Sequence, residues 1–140
     1  MEKIDRMMKS LARGKERALP VLNGVVGHTL KKIGLAIPMR LYAGEKPLSL
    51  TKSGLGKAGL PAGGKICILA HGNCGSERGW AFKEDRSKDY GSLLQKEFGF
   101  TPFFLRYNSG LHISSNGHRL SALLEKLIHS YPVKVSELIL

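Results

Sequence analysis

From Lys65 onward, short apolar runs alternate with stripes at helical spacing, and this order restricts the fold more than any other feature of the chain. Lys65–Ala70 is apolar without alternation, the pattern of a strand in a sheet covered on both faces. Asp89–Phe98 puts Tyr90, Leu93, Leu94 and Phe98 on one helical face, and Gly99 follows as a stop. Thr101–Tyr107 is the next strand, with Phe103, Phe104 and Leu105 at its centre. Leu120, Leu123, Leu124, Leu127 and Ile128 fall at i, i+3, i+4, i+7 and i+8. That stripe predicts a long helix capped by Ser114 or Ser115 and ended by Pro132. Val135–Leu140 begins a further strand. Strand, helix, strand, helix, strand predicts an α/β fold whose sheet is mostly parallel, with flanking helices and right-handed crossovers.

Upstream the pattern is less regular. Met1–Arg17 is polar and basic. Pro20 opens a helix in which Leu22, Val25, Val26, Leu30 and Ile33 recur at helical spacing, and Gly34 stops it. Ala36–Tyr42 and Lys46–Leu50 form a hairpin around Gly44-Glu45. Ser53–Gly64 is a glycine-rich loop with room for one helical turn, and His71–Lys88 is a long polar loop. Residues 1–34 therefore read as a basic N-terminal helical segment, and residues 35–140 as the sheet-bearing domain.

The chain has 140 residues, enough for one domain, with 42% hydrophobic and 24% charged residues. No run approaches the ~18 apolar residues that span a bilayer. Val21–Val26 is too short and too interrupted for a signal sequence, and Glu2, Asp5 and Glu16 argue against a transit peptide. A cytoplasmic protein is the expectation. The net charge of +11 is uneven: residues 1–65 carry 13 Lys/Arg against 4 Asp/Glu, or +9. One reading is a basic arm for nucleic acid or an anionic surface. The other is a solvated basic surface, favoured because no aromatic residues interleave with the N-terminal charges as a stacking platform requires. No specific nucleic acid is expected. Cys67 and Cys74 match no metal-ligand spacing, and no structural disulfide, metal or cofactor is expected.

Two glycine patterns are set aside. Gly54-Leu55-Gly56-Lys57-Ala58-Gly59 has G-x-G-x-x-G spacing, but it follows a short hairpin and opens no crossover helix. Gly59–Lys65 approaches a phosphate loop, but Ile66 stands where a magnesium-binding Ser or Thr belongs, and a strand follows instead of preceding. Both read as connector. His71-Gly72-Asn73 is different. A strand ending in His-Gly sits at the carboxyl edge of the sheet, where α/β proteins bind ligands. A backbone N–H just after the turn can face a developing oxyanion.

Several stretches together resemble the N-terminal half of the α/β-hydrolase fold. The nearer resemblance is to bacterial lipase- or esterase-like hydrolases related to the GPI inositol-deacylase group. Leu22–Gly27 (LNGVVG) and Leu35–Met39 (LAIPM) resemble that group's N-terminal segment, and Ile68–Gly72 (ILAHG) its oxyanion strand. Leu105–Ser114 (LRYNSGLHIS) with Asn116-Gly117 resembles the segment between its fourth strand and the next helix, and is the most specific part. The resemblance implies a truncated α/β-hydrolase sheet of about its first five strands, and ester hydrolysis by a Ser–His–Asp/Glu triad. The serine of that family sits on a G-x-S-x-G elbow after the fifth strand. No such pattern exists in residues 1–140: Ser76 lacks the glycine two places before it, and Gly110–Ser114 does not fit. Nucleophile, acid and base would all lie beyond Leu140, and no catalytic residue is present.

What the resemblance leaves in this chain is one oxyanion donor, the Asn73 backbone N–H, with His71 and Gly72 forming the turn. The expected function is an incomplete esterase- or lipase-like serine hydrolase, inactive alone, acting on an ester or lipid only if the missing half is supplied. Half of a two-chain enzyme is a further form of that reading. The alternative is a small basic binding module for nucleic acid or anionic surfaces. A local site built from Cys74 or Ser76 with His71 lacks an evident third residue to orient the histidine. His28, His112, His118 and His129 read as surface or packing residues. The last strand is expected to leave an exposed edge prone to self-association.

Overall fold

A computed structural model describes residues 18–21, 24, 25, 27, 37–61 and 63–140. Met1–Arg17, His28 and most of the basic segment 1–34 lie outside the described residues. Within that segment, residues 18–21, 24, 25 and 27 are helical, with Ala18 and Leu19 already helical ahead of Pro20.

Five strands form one mixed sheet. In chain order they are β1 (Arg40–Ala43), β2 (Lys46–Pro47), β3 (Lys65–Ala70), β4 (Thr101–Arg106) and β5 (Glu137–Ile139). The order across the sheet is β2-β1-β4-β3-β5. β3 pairs in parallel with β4 on one side and with β5 on the other. β1 runs antiparallel to both β2 and β4. The sheet is therefore only partly parallel, and the expectation of a mostly parallel sheet is corrected. The reason is local. The Gly44-Glu45 turn, with Gly44 at φ 58°, folds β2 back on β1, and this hairpin is added to β4 in the opposite sense. β2 is shorter than the predicted Lys46–Leu50, although the Leu48 N–H still donates to the Leu41 carbonyl at 2.8 Å.

Side-chain alternation divides the buried residues between two faces. On one, Ile66, Ile68, Phe103, Leu105 and Leu41 pack with Leu55 of helix α1 (Lys52–Lys57), with Leu127 of helix α3 (Ile113–Ser130) and with Tyr131. Leu120, Leu123 and Leu124 join this core partly buried, whereas Ile128 of the predicted stripe is 47% exposed. On the other face, Leu69, Phe104 and Tyr42 meet Trp80 and Leu94. Leu94 belongs to helix α2 (Tyr90–Phe98), which Asp89 caps by accepting from the Ser92 N–H at 2.7 Å and Gly99 ends at φ 72°.

The predicted buried face of α2 is corrected. Gly91 lies against the sheet with Leu94, the one residue of the predicted face that packs there; Tyr90, Leu93 and Phe98 are 49%, 43% and 62% exposed. A Cβ at Gly91 would stand 2.7 Å from Phe104 Cζ and 2.8 Å from Pro102 Cβ. The helix thus approaches the sheet through its smallest residue. α3 starts at Ile113, one residue before the first predicted cap, with His112 at the N-cap position and Ser114 and Ser115 inside its first turn. Gly54 and Gly56 of the glycine-rich stretch lie inside α1.

Among the described residues no helix is long and apolar enough to cross a membrane. β5 stands at the end of the sheet order, so one of its edges meets no strand among the described residues. Leu138 packs on the core, while Ile139 and Leu140 are 37% and 72% exposed.

Candidate functional site

The carboxyl ends of β3 and β4 lie side by side, with Ala70 opposite Leu105 in register. Each strand then runs into a loop, and the two loops are tied together. After β3, the Gly75 N–H donates to the Gly72 carbonyl at 3.2 Å, closing a four-residue turn around Asn73 and Cys74. Cys74 has φ 57° and is the one non-glycine at positive φ among the described residues. Negative φ at Asn73 followed by positive φ at Cys74 is the pattern of a type II turn, which favours Gly or Asn at the second position. A cysteine there stores backbone strain that its surroundings must offset.

Three contacts from the loop after β4 hold the turn in place. Ser109 Oγ accepts from the Cys74 N–H at 3.1 Å. The Tyr107 hydroxyl donates to the His71 carbonyl at 2.7 Å. The Tyr107 ring stacks on the His71 imidazole, with centroids 4.4 Å apart and planes 22° from parallel. Asn108 anchors this second loop: its side chain accepts from Gly110 N–H at 3.0 Å, and its carbonyl accepts from Asn116 Nδ2 at 2.9 Å.

The N-terminal helical residues close on both loops from outside. Asn108 Nδ2 donates to the Gly27 carbonyl at 3.1 Å. A Cβ at Gly27 would overlap Asn108, and one at Gly24 would lie 2.9 Å from Cys74 Cα. Only glycine permits this approach, so the spacing Gly24-x-x-Gly27 places bare backbone against the turn and its anchor.

His71 is buried, and both its ring nitrogens are engaged. The Tyr107 N–H can only donate, so Nε2 accepts it, at a long 3.5 Å; Nδ1 then carries the hydrogen donated to the Gly72 carbonyl at 2.9 Å. A histidine so held shapes the turn and has no nitrogen left to serve as a base. Cys74 Sγ is directed toward the Val21 carbonyl at 3.9 Å, and Ser76 makes no side-chain capping bond. The local combination of Cys74 or Ser76 with His71 is therefore not assembled. Asn73 is exposed, and its N–H has no acceptor among the described residues. His112, His118 and His129 are exposed on or beside α3. Among the described residues no three His, Cys, Asp or Glu side chains cluster as a metal site. Both cysteines are free, and burial in β3 pushes the Cys67 thiol up.

Beside the turn lies an ion pair that sequence reading missed. Glu77 is 7% exposed and takes two hydrogen bonds from Arg106, one from Nε at 2.8 Å and one from Nη2. Burial alone would raise the Glu77 carboxyl. The Arg106 hydrogen bond and charge, with Arg78 adding to them, outweigh that and hold it below the usual carboxylate range. The Arg106 guanidinium also lies over the Tyr42 ring, 4.2 Å from its centroid. Nothing in the polar run His71–Lys88 singles out Glu77. The one available signal was a charged Arg106 closing an otherwise apolar strand. Tyr107 and Ser109 stood within a recognised motif, but their roles toward the turn needed coordinates.

A cavity of about 250 Å³ opens at this point, bounded by the turn, the ion pair and the residues leading into β1. No family model, curated protein or solved structure matches the chain.

Proposed function

We propose that residues 37–140 form the oxyanion-bearing half of an α/β-hydrolase-type esterase. The observation that carries this reading is the Gly72–Gly75 turn: it follows the central parallel strand and holds the exposed Asn73, whose N–H has no acceptor among the described residues. The placement of β3 between β4 and β5 supports it, because the fifth strand of that fold pairs with the third. In such a site the N–H stabilises the charge that develops on a carbonyl oxygen, and the strained, clamped turn pre-orients it. Residues 1–140 contain no G-x-S-x-G, so nucleophile, acid and base would have to come from sequence outside them.

Two measurements test the reading. The isolated protein should not turn over p-nitrophenyl esters, since an oxyanion donor without its nucleophile accelerates little. Turnover abolished by Cys74→Ala or Ser76→Ala would show a local nucleophile and overturn the proposal. Once a segment carrying the elbow is supplied, fused or in trans, Asn73→Ala should be mild and Asn73→Pro severe. Proline suits the first central position of a type II turn, so the turn persists while the donor is lost, at about 2.7–4 kcal/mol of transition-state stabilisation. Equal losses in both variants would point to the Asn73 side chain.

A further inference from the structure

We infer that the cavity beside the turn is a binding site for a short, uncharged apolar group: the acyl chain of the ester, if the hydrolase reading on which that identification rests is right. Its wall is apolar, built by Leu19 and Pro20 of the N-terminal helical residues, Ile37 and Pro38 ahead of β1, and Tyr42 of β1. His71, Gly75 and Ser76 line the side nearest the oxyanion turn. A group lying in the cavity therefore touches both ends of the turn that carries the donor, at His71 and Gly75.

Two physical features fix the ligand class. The first is charge. The two charged side chains at the floor, Glu77 and Arg106, are bound to each other, and Arg78 at the margin reaches Glu45 at 4.0 Å. An anionic ligand would have to compete with Glu77 for its guanidinium, and a cationic one with Arg106 for its carboxylate. The second is size. At 250 Å³ the cavity holds roughly eight water-sized groups, at about 30 Å³ each. That matches a chain of about six to eight carbons or one ring, and excludes the full length of a long lipid tail.

The test uses 2-heptanone, whose seven carbons and carbonyl match the cavity and which no nucleophile is needed to bind. Heptanoate is the charged comparator and 2-pentadecanone the long one. Fluorescence of Trp80, the single tryptophan, follows binding from the 3-10 turn that begins at Glu77. Saturable binding of 2-heptanone is expected, at least about tenfold tighter than heptanoate, a difference of about 1.4 kcal/mol. Ile37→Phe and Ser76→Phe, which enlarge two of the lining side chains and keep Trp80 the single tryptophan, should each abolish it with the melting temperature unchanged. Binding that persists in a folded, filled variant overturns the proposal, as does heptanoate or 2-pentadecanone binding as well as 2-heptanone. If neither filled variant folds, the wild-type ligand series alone decides. Failure here leaves the esterase reading standing. Conversely, a completed enzyme that binds 2-heptanone without hydrolysing hexanoate esters sinks the esterase reading and keeps the pocket.

Discussion

The two faces of the sheet are built to different standards. Among the described residues, one carries nine buried residues drawn from β1, β3, β4, α1, α3 and the segments flanking them. The other carries three, backed by Trp80 and Leu94, under a helix that turns Tyr90, Leu93 and Phe98 outward. Tyr42 and Arg106 stand on this thinner face, and the Glu77 ion pair and the cavity lie at its carboxyl end. The difference teaches a division of labour: the thick face supplies the folding energy, and the thin face leaves space beside the turn. A surface packed to interior density on both sides would have no room for a ligand.

The sharpest way to break this comparison is to hollow the thick face. Phe103 of β4 is fully buried and meets Tyr131 edge-on, their centroids 6.1 Å apart. Phe103→Ala should cost about 3–5 kcal/mol in urea unfolding, the range for deleting a core ring. A loss under about 1 kcal/mol would mean that the thick face does not hold the fold.

The thin face should yield less, and by the opposite mechanism. Gly91→Ala adds a methyl where Phe104, Pro102 and Leu69 already stand within 3.0 Å, and Pro102 cannot swing aside. Overpacking of this kind costs about 1–3 kcal/mol. α2 gains about 1 kcal/mol of helix propensity from the same change, so the net loss should sit at the lower end. Net stabilisation would show that α2 is free to lift off the sheet.

Glu77→Gln should cost about 1 kcal/mol, since one neutral hydrogen bond replaces a charged pair whose Arg106 is a third exposed. Its signature is in the pH dependence. The folded Glu77 carboxyl lies below its ordinary value, so the unfolded chain binds the proton more readily. The stabilisation is complete above the unfolded pKa of about 4.3 and is lost as pH falls through the folded value. Wild-type unfolding free energy, followed from pH 6 downward, should therefore drop more steeply than that of Glu77→Gln. Parallel curves would remove the ion pair from the account of the thin face.

The thick face was legible in the sequence and the thin one was not, for a physical reason. Apolar residues such as Ile66 and Ile68 in a continuous run, and a stripe such as Leu120 to Leu127, announce burial by composition alone. α2 misled because periodicity reports which residues share a face and not whether that face meets the sheet; the close approach chose Gly91, which carries no hydropathy signal. The turn at His71–Gly72 was visible as a strand meeting a glycine. Its clamps were not, because Tyr107 and Ser109 are 36 and 35 residues away from the atoms they hold. The buried carboxylate was hidden for a similar reason: Glu77 acquires its partner only when the loop after β3 folds against the end of β4.

The smallest expected effect tests the outermost layer. Phe98 closes α2 with 62% of its surface exposed, beside Leu93 at 43%. A side chain so placed loses little water contact on folding, so Phe98→Ala should change stability by no more than about 0.5 kcal/mol. α2 keeps its Asp89 cap and its Gly91 contact in that variant, and neither depends on the ring. A thermal melt of the isolated protein measures this directly. A loss above about 1 kcal/mol would mean that Phe98 is buried against something in solution, because exposed aromatic carbon has no other route to stabilise a fold of this size. Light scattering then distinguishes the cases. A wild-type dimer that Phe98→Ala dissolves would make the outer side of α2 an interface, and the thin face would be thin only in the isolated chain.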